Sequence, residues 1–165
     1  MVPTGKGYGI NGHSQSLDDH GNAKPGGGGH SSNGIDYHGG PVMLGTTNVY
    51  FIWYGDWSGT KAAGMPILQN YATFVGGSPY FGINTTYYDG GGNAVSNSVN
   101  YAGATTDNYS GGVNLTDSGV FSVVSSAITS GRLPKDSHGV YFVLTSPDVK
   151  ETSGFCSSYC GWHTH

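Results

Sequence analysis

The sequence predicts an α/β (or α+β) domain in which a mixed sheet carries two packed amphipathic helices and a hairpin. Three observations lead there. Two unbroken apolar runs, Asn48–Tyr54 and Val140–Leu144, have the length and the β-branched and aromatic content of buried strands. Two further segments, near 66–75 and 117–130, repeat apolar residues at helical spacing. The order strand, helix, hairpin, helix, strand layers helices on a sheet. The two apolar runs are therefore expected to be neighbouring central strands.

Residues 1–36 are rich in Gly, Ser, Asn and His, with the run Gly26-Gly27-Gly28-Gly29. They have little to bury against an ordering cost of ~1–2 kcal/mol per residue, so a flexible leader is expected. His13, His20 and His30 lie in it, and a solvated linker is preferred there over a metal-binding tract. The domain itself is expected over 37–165.

Gly39-Gly40-Pro41 is a turn signal ahead of the first strand, and Gly55-Asp56-Trp57-Ser58-Gly59 is the loop after it. Pro66 suits the first turn of a helix whose apolar positions are Ile67, Leu68, Tyr71, Ala72 and Val75, ended by Gly76-Gly77. Ile83–Tyr88 and the alternating Val95, Asn97, Val99 and Tyr101 flank the turn Asp89–Asn93, which predicts the hairpin. A polar loop is expected from Gly103 to Asn114. Thr116 is a good N-cap for the second helix, with Asp117 at its positive end. Val120, Val123, Val124, Ala127 and Ile128 form its stripe, and Gly131 and Pro134 end it.

Composition narrows the function. Charged residues make up 10% of the chain and the net charge is −4, with no basic patch, which argues against nucleic acid. No run of 18 apolar residues is present to span a membrane. Tyr, Ser, Thr and Asn supply the polarity, as on secreted or wall-associated proteins. Lys6 is followed by no apolar stretch, so any export leader is expected outside this sequence. Asn84, Asn108 and Asn114 open Asn-x-Ser/Thr acceptor triplets.

The motifs of familiar enzymes are missing. The sequence has no His-Glu-x-x-His, no Gly-x-Ser-x-Gly and no phosphate loop. Glu151, the sole glutamate, reads as a solvated loop residue, and Asp56, Asp89, Asp107, Asp117, Asp136 and Asp148 read as turn and cap formers. No catalytic residue is assigned. Cys156 and Cys160, the two cysteines, are read as a disulfide closing a small loop. The alternative is metal ligation: with His163 and His165 they make four candidate zinc ligands. No other cofactor is expected. The chain stops at His165 without a closing helix, which suggests a domain that continues beyond it.

Two blocks carry a family resemblance. His38-Gly39-Gly40-Pro41-Val42-Met43, running into Val49–Trp57, resembles the opening signature of the EXORDIUM / phosphate-induced protein 1 family. Leu133–Asp136, Gly139–Val149 and Phe155-Cys156 through Cys160-Gly161-Trp162-His163 resemble its central signature. The low charge and the run Asn84–Asp89 look closer to its bacterial branch. The resemblance covers 37–165 and implies a secreted protein of the cell wall or apoplast, linked to growth responses, with no firm enzymatic activity. Some related bacterial proteins continue into a His-Glu helix that looks like a zincin-type site. The alternative function is thus the N-terminal half of a secreted zinc-dependent hydrolase, its metal motif beyond residue 165. For the wall-associated reading the partner is a polysaccharide, with Tyr54 and Trp57 as candidates to stack on sugar rings. A core position is the competing reading for Tyr54.

Overall fold

A computed structural model describes residues 37–155, 157–159 and 161–164. The expected leader, Cys156, Cys160 and His165 lie outside the described residues. The α/β class is what the structure shows. Thr47–Tyr54 (β1) lies between Val99–Asp107 (β2) and Gly139–Thr145 (β4), and both pair with it in parallel. Asn114–Leu115 (β3) and Lys150–Glu151 (β5) form a small parallel ladder beside this sheet. Gly64–Phe74 (α1) connects β1 to β2, and Asp117–Thr129 (α2) connects β3 to β4.

β1 organises the core because every residue from Val49 to Tyr54 is buried. The strand's period of two divides them between its faces. Tyr50, Ile52 and Tyr54 pack with Val123 and Ala127 of α2 and with Leu115, Leu133 and Val149. Val49, Phe51 and Trp53 pack with Ala72 of α1, and Met65, Trp57 and Leu144 close that side. The helices thus cover opposite faces of one sheet, as parallel strands require. Thr116 caps α2 as the sequence predicts: its hydroxyl accepts the Gly119 N–H at 3.0 Å.

Several expectations need correction. Val140–Leu144 does neighbour β1, but among the described residues β4 is an edge strand, with Phe142 44% exposed. An apolar run does not report how many strands flank it, and here no residue of β4 is fully buried. The hairpin shrinks to one antiparallel bridge, Tyr88 to Ala94, around a turn in which Asp89 Oδ1 accepts the N–H groups of Gly91 and Asn93. Residues Phe81–Thr86 are a 3₁₀ helix, and Val99 starts a strand that runs parallel to β1 and continues through the expected polar loop to Asp107. The stripe foreseen on α1 buries only Ala72; Ile67 and Tyr71 face solvent. Glu151 is buried in β5, where it accepts hydrogen bonds from Ser153 N–H at 2.9 Å and from Ser153 Oγ and Tyr159 Oη. Burial opposes its ionisation, but these donors outweigh burial and hold the carboxyl below its ordinary range.

Candidate functional site

The chain leaves β1 toward β2 on one side, then crosses to β4 on the other. In open parallel sheets, ligands gather where the strand order reverses, at the C-terminal strand ends. Here that point is the edge formed by the loops after Tyr54, Asp107 and Thr145.

The loops are tied together by hydrogen bonds. Gly55 turns the chain at φ 95°, and a Cβ there would lie 2.1 Å from Ser146 Oγ, so no side chain fits. The turn aims the Asp56 N–H at Tyr109 Oη (3.0 Å) and Ser146 Oγ (3.1 Å). Those two hydroxyls donate to opposite oxygens of Asp148, Tyr109 at 2.6 Å and Ser146 at 2.7 Å. The Asp56 carboxylate accepts the Ser58 N–H at 3.0 Å and meets Lys61 Nζ at 2.6 Å. Lys61 also stands 4.0 Å from Asp148. Trp57 spans the reversal point itself, its indole N–H shared between the carbonyls of Tyr54 (3.2 Å) and Leu144 (3.1 Å).

Proton affinities follow from these contacts. Lys61, then the Ser58 donors, lower the Asp56 pKa to about 2. Tyr109 and Ser146 lower that of Asp148, and Asp56 raises that of Lys61. Both carboxyls are therefore ionised and the amine charged at neutral pH. The ionised carboxylates accept, the charged amine donates, and their bonds to one another, to Tyr109 and to Ser146 fix these groups as a polar rim.

Beside the rim is a cleft of about 420 Å³ lined by Trp53, Gly55, Asp56, Trp57, Ser58, Met65, Thr106 and Asn108. The rings of Trp53 and Trp57 meet edge to face at 4.9 Å. The size and lining, aromatic with a few polar groups, suit a small uncharged molecule or one unit of a polymer. A second hollow, about 600 Å³, is bounded by Thr47 and Val140 at the opposite, N-terminal end of the sheet.

Of the residues singled out in the sequence, Trp57 lines the cleft and Asp56 forms its rim. Tyr54 does not contribute a surface: it is 0% exposed, with its hydroxyl donating to the Gly112 carbonyl and accepting the Gly111 N–H, both at 2.8 Å. His163 is exposed. Its proposed co-ligands Cys156, Cys160 and His165 lie outside the described residues, among which no group of three or more His, Cys, Asp or Glu is placed to hold a metal. Sequence reasoning missed Lys61, Tyr109 and Ser146. Their signal is position: Gly55-Asp56 and Ser146-Pro147-Asp148 each follow an apolar parallel strand directly.

The conserved region of phosphate-induced protein 1 matches residues 35–165. Protein EXORDIUM-like 5 of Arabidopsis thaliana is 38% identical over 137 residues, covering 78% of this chain and 38% of the relative. Protein EXORDIUM-like 3 of the same plant is 31% identical over 138 residues, covering 78% of this chain and 41% of the relative. The chain thus spans about two fifths of the length of these curated relatives. No solved structure matches it.

Proposed function

Because the chain belongs to the phosphate-induced protein 1 family, we propose that it is part of a secreted, EXORDIUM-like protein that works at a cell wall or cell surface and binds neutral polysaccharide there. The observation that carries the binding step is the cleft at the C-terminal ends of β1 and β2, with an indole wall and a rim of fixed hydrogen-bonding groups. Trp57 stacks against the apolar face of a pyranose, and Ser58, Thr106 and Asn108 meet its hydroxyls. Scarce charge over the whole chain supports a partner recognised without ion pairing.

Nothing among the described residues favours the zinc-dependent alternative. In the exported protein Cys156 and Cys160 form the proposed disulfide. The residues between and beside them support it: Ser157 and Ser158 N–H groups both turn back to the Gly154 carbonyl, and Phe155 bridges Tyr159. Loop-closure entropy makes such a short bridge worth on the order of 2 kcal/mol.

Titrating the protein with soluble neutral gluco-oligosaccharides, read by tryptophan fluorescence, tests the cleft. Saturable quenching is expected, lost in Trp57→Ala and weakened in Asn108→Ala, whose exposed side chain is not needed for folding. Quenching that survives both substitutions would remove the cleft from the reading. Fractionation of the source cells tests the location: recovery of the protein in the cytosol alone would overturn secretion.

A further inference from the structure

Two tryptophans wall the cleft, and their N–H groups are in opposite states. The Trp57 donor is shared between two backbone carbonyls, those of Tyr54 and Leu144. The Trp53 donor, on a residue 2% exposed, has no acceptor among the described residues, and solvent does not reach it. Nearly every buried polar group in a folded protein is paired, because an unpaired one forfeits the hydrogen bond it made to water in the unfolded chain. A donor left open beside a cleft points to an acceptor that arrives with a ligand.

The protein around the ring offers it no acceptor. Trp53 sits in an apolar cluster with Val49, Phe51 and Ala72, closed by Met65 and Leu144. Phe51 and Trp57 meet it edge to face at 5.4 and 4.9 Å, and an aromatic face accepts an N–H far more weakly than an oxygen does. Of the two hollows at the ends of the sheet, only the cleft reaches Trp53. Met65 lines the same cleft half-buried, and it is the side chain best able to give way, being unbranched and turning about several bonds. The charge at the rim selects the acceptor. Asp56 is ionised and the Lys61 amine is already bound to it at 2.6 Å, so an anionic oxygen would meet repulsion. A neutral hydroxyl or ether oxygen, as a sugar ring carries on its edge, meets none.

We propose that the Trp53 N–H is the specificity-determining donor of the cleft: Met65 gives way, and a neutral oxygen of the bound sugar unit takes the hydrogen bond that the folded chain leaves open. This rests on the polysaccharide reading and deepens it by dividing the work between the two indoles. Trp57 offers a ring on which any pyranose can stack. Trp53 requires an oxygen at one position of that pyranose.

Indole N–H resonances of the nitrogen-15-labelled 165-residue chain, titrated with cellotetraose and with laminaritetraose, test it. The three tryptophans give three signals, and Trp57→Phe and Trp162→Phe assign them without touching Trp53. The Trp53 signal should move downfield with at least one of the two sugars, along the same saturation curve as the fluorescence quenching. Trp53→Phe keeps an aromatic ring and removes the donor, and should weaken binding roughly three- to tenfold. Should that variant fail to fold, the spectra of the parent decide alone. Quenching with a Trp53 signal that stays in place, or a folded Trp53→Phe that binds like the parent, would overturn the inference and leave the polysaccharide reading standing. A Trp53 signal that already lies as far downfield in the free protein as that of hydrogen-bonded Trp57 would show the donor paired without ligand, and would overturn it too. Absence of both quenching and any shift would overturn the polysaccharide reading itself, and the inference with it.

Discussion

The two helices that cover the sheet are built on opposite plans. α2 opens on a threonine cap, turns Val123 and Ala127 inward and presents mostly serine and threonine outward. α1 has no side-chain cap, buries one alanine fully and presents isoleucine, tyrosine and phenylalanine outward. α2 is explained largely by the core it completes, with Phe121, 59% exposed, as the large apolar side chain it turns outward. α1 is not: within this chain, which spans about two fifths of its relatives' length, it leaves apolar surface on its far side.

The sharpest way to break this contrast is to compare isoleucines. Ile52 of β1 is 0% exposed within the α2-side core, and Ile67 of α1 is 68% exposed. Ile52→Ala should cost about 2–5 kcal/mol through lost burial and the cavity left behind. Ile67→Ala should stay within about 0.5 kcal/mol. Chemical denaturation of both variants measures this. Equal costs would mean that α1's outer face is part of the core after all.

The loop between β1 and α1 comes next. Gly55→Ala puts a Cβ 2.1 Å from Ser146 Oγ and strains a φ of 95°. A penalty of about 1–3 kcal/mol is expected, together with loss of oligosaccharide quenching, since the shifted turn carries Asp56 and Trp57. Unchanged stability and quenching would show that the three loops are not coupled as the hydrogen bonds indicate.

Capping separates the helices more finely. Thr116→Ala removes the acceptor for the Gly119 N–H and should cost about 1 kcal/mol. Ala63→Ser at the head of α1 should gain nothing. The backbone there is already helical, at φ −62° and ψ −25°, because a 3₁₀ turn over Gly59–Ala63 runs straight into the helix. A serine in that conformation cannot fold back as a cap does.

These differences explain what the sequence could tell. β1 was legible because both its faces are buried, which leaves a continuous apolar run, though half-buried β4 carries a similar one. α2 was legible because cap, stripe and stop agree. The apolar positions of α1 gave its existence but not its orientation, since periodicity cannot distinguish a face turned to the sheet from one turned away from it. The start of β2 mimics half of a hairpin because the Asp89 turn is genuine, while parallel pairing with β1 leaves no local trace. Asp56 and Asp148 were legible as turn formers. Their convergence with Lys61 and Tyr109 was not, because partners 39 residues apart, as Tyr109 and Asp148 are, meet only through strand order.

The smallest effect tests what holds the head of α1 in place of a cap. Lys61 lies in the 3₁₀ turn that leads into the helix, and its bond to Asp56 fastens that turn to the end of β1. The side chains are 35% and 43% exposed, so solvent and salt weaken the pair. Its pH dependence has a definite sign. The Asp56 pKa falls from 3.8 to about 2 on folding, so its contribution is present above 3.8 and is lost as pH drops through about 2; Asp148 shifts in the same direction. Lys61 is raised, so its share is present below its ordinary 10.5 and is lost only as pH rises through the folded value. Acid should therefore loosen the head of α1 before that of α2, whose threonine cap does not titrate. Lys61→Met should move the Asp56 carboxyl midpoint, followed by NMR, from about 2 upward toward 3.8, and should leave the first-turn amides of α2 unshifted. An Asp56 midpoint unmoved by the substitution would show that the Ser58 donors alone hold it down, and that α1 begins without an electrostatic anchor.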